Sequence, residues 1–245
     1  MSIQVNYAQI SFDFVDAVTA TRTLRELRDR LASFLGRFGY DHFLLTGVPD
    51  PAQTIEPHFL VDAWPAPWST AYVERGYYPD DPIARHTRQS VSPFAWSDVV
   101  VDPERWPRAG EVMAEAASMG LVSGFSVPIV SGTGEQSCLT MGGREVDADP
   151  AARKAIHVAG LMACAHALTL ATPRRRSVVR VLLTPRERDI MQWIAAGRSN
   201  DDIAEILGIS ERTVRFHLTA VMDKFGSANR TQAVVDSLRA GEIRL

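Results

Sequence analysis

The chain is expected to be an α+β protein in two parts: an N-terminal α/β/α sandwich around an antiparallel sheet, and a C-terminal four-helix helix-turn-helix domain. Three observations predict this. Apolar residues in the first part alternate between helical and strand-like spacing, short capped helical patterns fill the chain from Leu183 onward, and the charge divides between the two parts. From Arg174 to the end there are 13 Lys plus Arg against 9 Asp plus Glu, a net of +4, whereas residues 1–173 hold 13 against 20, a net of −7. A basic end beside an acidic remainder suits phosphate contact by the last segment alone. With 245 residues, each part is long enough to bury its own core.

In chain order, Leu24, Leu27, Leu31, Phe34, Leu35 and Phe38 form the stripe of one helix, which Gly39 stops. Tyr40–Val48 and His58–Trp64 are expected as strands, Trp68–Arg75 and Pro82–Gln89 as short helices, and the region near Val91–Ala95 as a strand. Val112, Met113, Ala116 and Met119 mark a helix ended by Gly120. Phe125–Val130 and Gln136–Gly142 flank the turn residues SGTGE as a hairpin, and a long helix runs from about Asp149 to Ala171. Residues 173–182, with Pro173 and three consecutive arginines, are expected as an exposed linker between domains at 1–172 and 183–245.

The last part begins with a capping box: Thr184 as N-cap, Pro185 at the first helical position and Glu187 three residues on. Ile190, Trp193 and Ile194 give that helix its stripe, and Gly197 supplies a left-handed end. Ser199 caps a second helix with Ile203, Ile206 and Leu207; Gly208 turns the chain, and Ser210 caps a third. Two capped helices across a glycine turn form a helix-turn-helix. In the third helix Val214, Leu218, Val221, Met222 and Phe225 recur at core spacing, which leaves the opposite face free. The expected DNA contacts are Arg212, Thr213, Arg215, Phe216 and Thr219, with His217 and Lys224 flanking them on the backbone. Arginines alone would suit a solvated face better; the turn, the caps and an outward Phe216 together favour double-stranded DNA.

Other classes find little support. Cys138 and Cys164 cannot form a disulfide framework and are expected as reduced core thiols. The scattered histidines offer no metal-ligand spacing, and no Gly-x-Ser-x-Gly or Cys–His pattern supports an enzyme. Without a signal segment or a run of eighteen apolar residues, a cytoplasmic protein with no membrane partner is expected.

The segment AWPAPWSTAYVERGYYPDDP concentrates polar aromatics: Trp64, Trp68 and Tyr72 at i, +4 and +8, then Asp81 before Pro82, with Trp96 further on. Aromatic stripes are more often plain core, but buried indole and phenol groups and a nearby carboxylate all need partners. A polar small molecule would serve all of them.

The C-terminal run LTPRE, AAGRS, DDIAEILGIS, TVRFH and NRTQAV resembles the DNA-binding domain of LuxR-type transcription factors. Trp68, Tyr72, Asp81-Pro82, Trp96 and Gly124 are similar in spacing to the signal-binding domain of LuxR-type quorum-sensing receptors for N-acyl-homoserine lactones. The resemblance implies that Trp68 donates to the lactone carbonyl, Asp81 accepts the ligand amide, and Tyr72 donates to or packs on the acyl carbonyl. It also implies that Trp96 packs on the lactone ring, while Ser126 and Thr140 line the pocket. Trp64 stands where many members have tyrosine. A homodimer, through the long Asp149–Ala171 helix or the final helix with Ala233, Val234, Leu238 and Ile243, and contact with RNA polymerase are further expectations; no cofactor is expected. The alternatives are a phosphorylation-controlled response regulator with the same DNA-binding end and a LuxR-type receptor for a different small molecule.

Overall fold

The computed structural model describes residues 6–131, 134–171 and 183–244, and the chain divides into two compact units, 1–173 and 174–245. The expected linker at 173–182 lies outside the described residues, as do two residues of the SGTGE turn.

The first unit opens with α1 (Tyr7–Thr19), capped by Asn6, and α2 (Leu24–Leu35), capped by Thr23. Helix α1 is not among the elements expected from the sequence: its buried apolar residues, Phe14 and Val18, are too few to set a period. Five strands follow, β1 (His42–Gly47), β2 (Phe59–Ala63), β3 (Phe94–Ala95), β4 (Ser123–Val130) and β5 (Gln136–Gly143). They form one antiparallel sheet in the order β2-β1-β5-β4-β3. A response-regulator receiver would need a doubly wound parallel sheet, so that alternative fails on topology. The strand expected near Val91–Ala95 shrinks to two residues, and Val91 is solvent-exposed.

Helices α3 (Ala66–Glu74), α4 (Pro82–Gln89) and α5 (Ala109–Ser118) lie between strands, and α6 (Pro150–Ala171) follows β5. Strand alternation divides the unit into two cores. Phe43, Met141 and Phe125, paired across β1, β5 and β4, face a cluster built with α1, α2 and α6. Leu44, Thr140 and Ser126, one residue along, turn the other way. Helix α6 lies close to its face of the sheet because its buried residues are small: Ala155, Ala159, Gly160, Ala163 and Cys164 among them. By length and composition α6 alone would pass as a membrane span, but its buried face, Ala155, Ile156, Ala159 and Cys164 among it, packs in the core of this unit.

The second unit packs α7 (Pro185–Ala195), α8 (Asn200–Leu207), α9 (Glu211–Phe225) and α10 (Arg230–Arg239) around Ile190, Met191, Ile203, Val214, Leu218 and Val221. Two side chains differ from expectation: Ile206 is 46% exposed, while Met191 is fully buried and displaces Trp193 to the margin. Helix ends follow the sequence closely. Thr184 and Glu187 exchange both bonds of a capping box, Ser199 and Asp202 make a second, and Gly208 takes φ 63° between α8 and α9.

Glu187 is 5% exposed and meets the Lys224 ammonium of α9. Burial pushes its carboxyl up, but the Lys224 and Thr184 hydrogen bonds outweigh that and hold it below the usual glutamate range. A carboxylate held low stabilises the fold fully above its unfolded pKa, and that stability is lost as pH falls through the depressed folded value. Lys224→Ala is therefore expected to cost about 1–3 kcal/mol. Hydrogen exchange at the α7 and α9 amides of the full chain measures it, with the deficit shrinking at acid pH. Unchanged protection would mean that the pair carries no stability.

Candidate functional site

The face of the sheet that carries Leu44 and Thr140 encloses, with α3, α4 and α5, a cavity of about 50 Å³. Its aromatic wall begins where β2 ends. Asp62 accepts the Trp64 amide (2.9 Å) and the Ser69 hydroxyl (2.5 Å), fixing the turn into a helix that lacks a side-chain cap of its own. Trp64 lies two residues before α3 rather than on its helical face. Its ring nonetheless meets those of Tyr72 at 5.1 Å and Trp68 at 6.1 Å. Trp68 and Tyr72 are buried one turn apart, their rings edge-on at 5.4 Å. The Trp64 indole N–H is buried with no hydrogen-bond partner among the described residues.

Asp81 is the N-cap of α4. One carboxylate oxygen accepts the Ile83 amide at 2.7 Å and the other accepts the Tyr72 hydroxyl at 2.8 Å. Burial raises its pKa, and the bonds from Tyr72, Ile83 and Ala84 work in the opposite direction. Burial and the adjacent Asp81 together keep the Tyr72 phenol protonated, its pKa well above the usual value.

Trp96 lies flat on the sheet, and two glycines make room for it: a Cβ would come within 2.2 Å of the indole at Gly124 and 2.8 Å at Gly142. The Trp96 N–H donates to Ser126 Oγ at 3.1 Å, and Ser126 Oγ shares a 2.8 Å hydrogen bond with Thr140 Oγ1. Ser126 is fully buried behind the wall, so of the two expected strand residues only Thr140 reaches the cavity. The cavity thus collects Trp64, Trp68, Tyr72, Asp81, Trp96 and Thr140. Sequence reasoning missed Thr46, Tyr78, Thr87 and Cys138 in the same wall. Thr46 and Cys138 had a usable signal, since polar or small residues at every second position of an apolar strand mark its less packed face. Burial pushes the Cys138 thiol up to about 12, so it lines the wall as an unreactive group.

On α9 the apolar spacing buries Val214, Leu218 and Val221, which leaves Arg212, Arg215, Phe216 and Thr219 exposed. Phe216 is 69% exposed, and the half-buried His217 ring meets it edge-on at 5.6 Å. Thr213 is occupied at the helix start, where its hydroxyl hydrogen-bonds Ser210 Oγ at 2.8 Å. Arg215 pairs with Glu211 one turn back. Lys224 differs from the others, because its ammonium is committed to Glu187 inside the unit.

Residues 23–171 match the family model described as an autoinducer binding domain, and residues 181–236 match that of bacterial regulatory proteins of the luxR family. The chain is 36% identical over 235 residues to the transcriptional activator protein BjaR1 of Bradyrhizobium diazoefficiens, covering 96% of each protein. It is 37% identical to the quorum sensing-dependent transcriptional regulator RpaR of Rhodopseudomonas palustris, covering 96% of this chain and 95% of that one. Among solved structures, SdiA in complex with octanoyl-rac-glycerol superposes with a TM-score of 0.68 at 18% identity, over 97% of this chain and 96% of that one, a likeness of fold.

The close seat of Trp96 gives a direct test. Gly124→Ala is expected to destabilise the first unit by about 1–3 kcal/mol, the cost of overpacking. Gly110→Ala, whose Cβ meets nothing within 4 Å in α5, should leave stability equal or higher. Equal melting temperatures for the two variants would contradict the tight seat.

Proposed function

This chain belongs to the LuxR family of bacterial transcriptional regulators, and from that premise we propose that its autoinducer is an N-acyl-homoserine lactone held in the aromatic cavity. It is a regulator with an autoinducer-binding domain and a helix-turn-helix DNA-binding domain, not an enzyme. The observation that carries the ligand reading is the buried, unpartnered indole N–H of Trp64 in the same wall as Asp81. A stranded donor costs about 1–3 kcal/mol, which a carbonyl acceptor on a ligand would offset. An acyl amide beside a lactone supplies two carbonyls and one N–H. Trp68 would take the lactone carbonyl and Asp81 the amide N–H. The Tyr72 phenol already donates to Asp81, so the acyl carbonyl falls to Trp64. Trp96 would pack on the lactone ring, with Thr140 beside it and Ser126 orienting both.

Asp81 accepts an amide N–H more strongly when ionised, so affinity should fall as pH drops through its raised pKa. Asp81→Asn is expected to lower lactone affinity at least tenfold and to flatten this pH dependence; Trp68→Phe lowers affinity without flattening it. Titration of the full chain with acyl-homoserine lactones measures both. Wild-type affinity in both variants would remove the assignment.

For DNA, the reading is a cytoplasmic homodimer on a palindromic promoter site that acts through RNA polymerase, with an autoinducer-binding domain at 1–172, a linker at 173–182 and a DNA-binding domain at 183–245. One helix-turn-helix contacts few base pairs, so specificity favours two. Val158, Leu161 and Leu168 lie exposed along the outer side of α6, whereas Ala233, Val234, Leu238 and Ile243 are spent in the core of their own unit. That favours α6 as the dimer surface. Arg212, Arg215, Phe216 and Thr219 would read the major groove, with Thr213 and His217 at its edge. Arg212→Ala is expected to weaken operator binding by ~1–3 kcal/mol, and Leu161→Glu to yield monomers that bind half as much DNA sequence. Sedimentation and footprinting decide it: an unprotected partner half-site in wild type, or no loss with Arg212→Ala, would sink this arrangement.

A further inference from the structure

Trp68 is held from outside the cavity. The fully buried Tyr77 stacks its ring on the Trp68 indole at 5.9 Å, with planes 29° apart, and meets Tyr72 edge-on at 6.2 Å. Its hydroxyl points away from the cavity wall. It donates to Glu115 at 2.6 Å, lies 3.0 Å from Glu111, and accepts from Arg75 at 3.2 Å. Arg75 also pairs with Glu115, and the Arg108 guanidinium lies 5.1 Å from the Tyr77 ring centre while bonded to Asp80.

Glu111 and Glu115 stand one turn apart on α5, the helix whose Val112, Met113 and Ala116 form part of the cavity wall. A single phenol therefore joins the plane of one indole to the helix that closes the site. Tyr77 does not line the cavity, so any influence on a ligand passes through Trp68, Tyr72 or α5. Hydrogen bonds weaken steeply with angle, and an indole N–H turns with its ring. The orientation of the Trp68 donor depends on what fixes that ring.

We propose that Tyr77 is a positioning residue for ligand recognition: its ring sets the plane of the Trp68 indole, and its hydroxyl, anchored on Glu111 and Glu115, couples that plane to the α5 wall. The role rests on the reading of Trp68 as donor to a lactone carbonyl. A structural contact alone would weaken all ligands equally; a positioning contact weakens those that use the Trp68 hydrogen bond.

The test uses the full chain, straight-chain acyl-homoserine lactones from butanoyl to dodecanoyl, and the matching N-cyclopentyl amides, which lack the lactone carbonyl. Tyr77→Phe, which keeps the ring, should lower affinity for the best-bound lactone roughly tenfold. It should leave the affinity for the matching cyclopentyl amide nearly unchanged, and add nothing in a Trp68→Phe background. Glu115→Gln should show the same selectivity to a smaller degree, and decides the matter if Tyr77→Phe does not fold. Equal losses for lactone and amide, or losses that add to those of Trp68→Phe, overturn the positioning role while leaving the lactone reading intact. A wild-type chain that binds no lactone overturns that reading and this role with it.

Discussion

Asp81 serves two elements with one carboxylate. One oxygen takes the Ile83 amide and starts α4; the other takes the Tyr72 hydroxyl and ties α3 to it. Burial opposes the charged form, and these bonds support it. The group that would bind a ligand amide is thus already part of the scaffold. A carboxylate caught between burial and hydrogen bonds responds strongly to one more donor, because each added bond acts in a low-dielectric setting. The phenol of Tyr72 is fixed by Asp81 in the same way, so in the proposed complex the acyl carbonyl would fall to Trp64.

The antiparallel sheet sets where everything else stands. Strand alternation sends Phe43, Met141 and Phe125 toward α6 and turns Leu44, Thr140 and Ser126 toward the cavity. One face is packed by small α6 residues; the other carries Trp96, which rests on glycine. Trp96 can lie on the sheet only because Gly124 and Gly142 have no Cβ. Its N–H then orders Ser126 and Thr140 in turn. The second unit works from shorter-range devices. Caps and left-handed glycines fix α8 and α9, and the buried Glu187 spends Lys224 on holding α7 to α9 rather than leaving it for a partner.

The sequence by itself determined the parts that depend on near neighbours along the chain. The caps at Thr184, Ser199 and Ser210, the turn at Gly208, the extent of α4 and the buried stripe of α9 all follow from interactions within a few residues, and each is legible there. The family and the aromatic cluster were legible for the same reason, since Trp64, Trp68, Tyr72 and Asp81 lie within eighteen positions. Tertiary structure alone decided which side chains meet across elements. It put Ser126 behind the wall, brought Thr46, Tyr78, Thr87 and Cys138 into it, took Lys224 to Glu187, and set Tyr77 between Trp68 and α5. Helix α1 belongs to the same class, because its buried Phe14 and Val18 acquire meaning only against α2 and α6. The physical reason is that spacing along a chain fixes which face of one element a residue occupies, whereas a cavity is made of several faces whose mutual register is set by sheet pairing and packing.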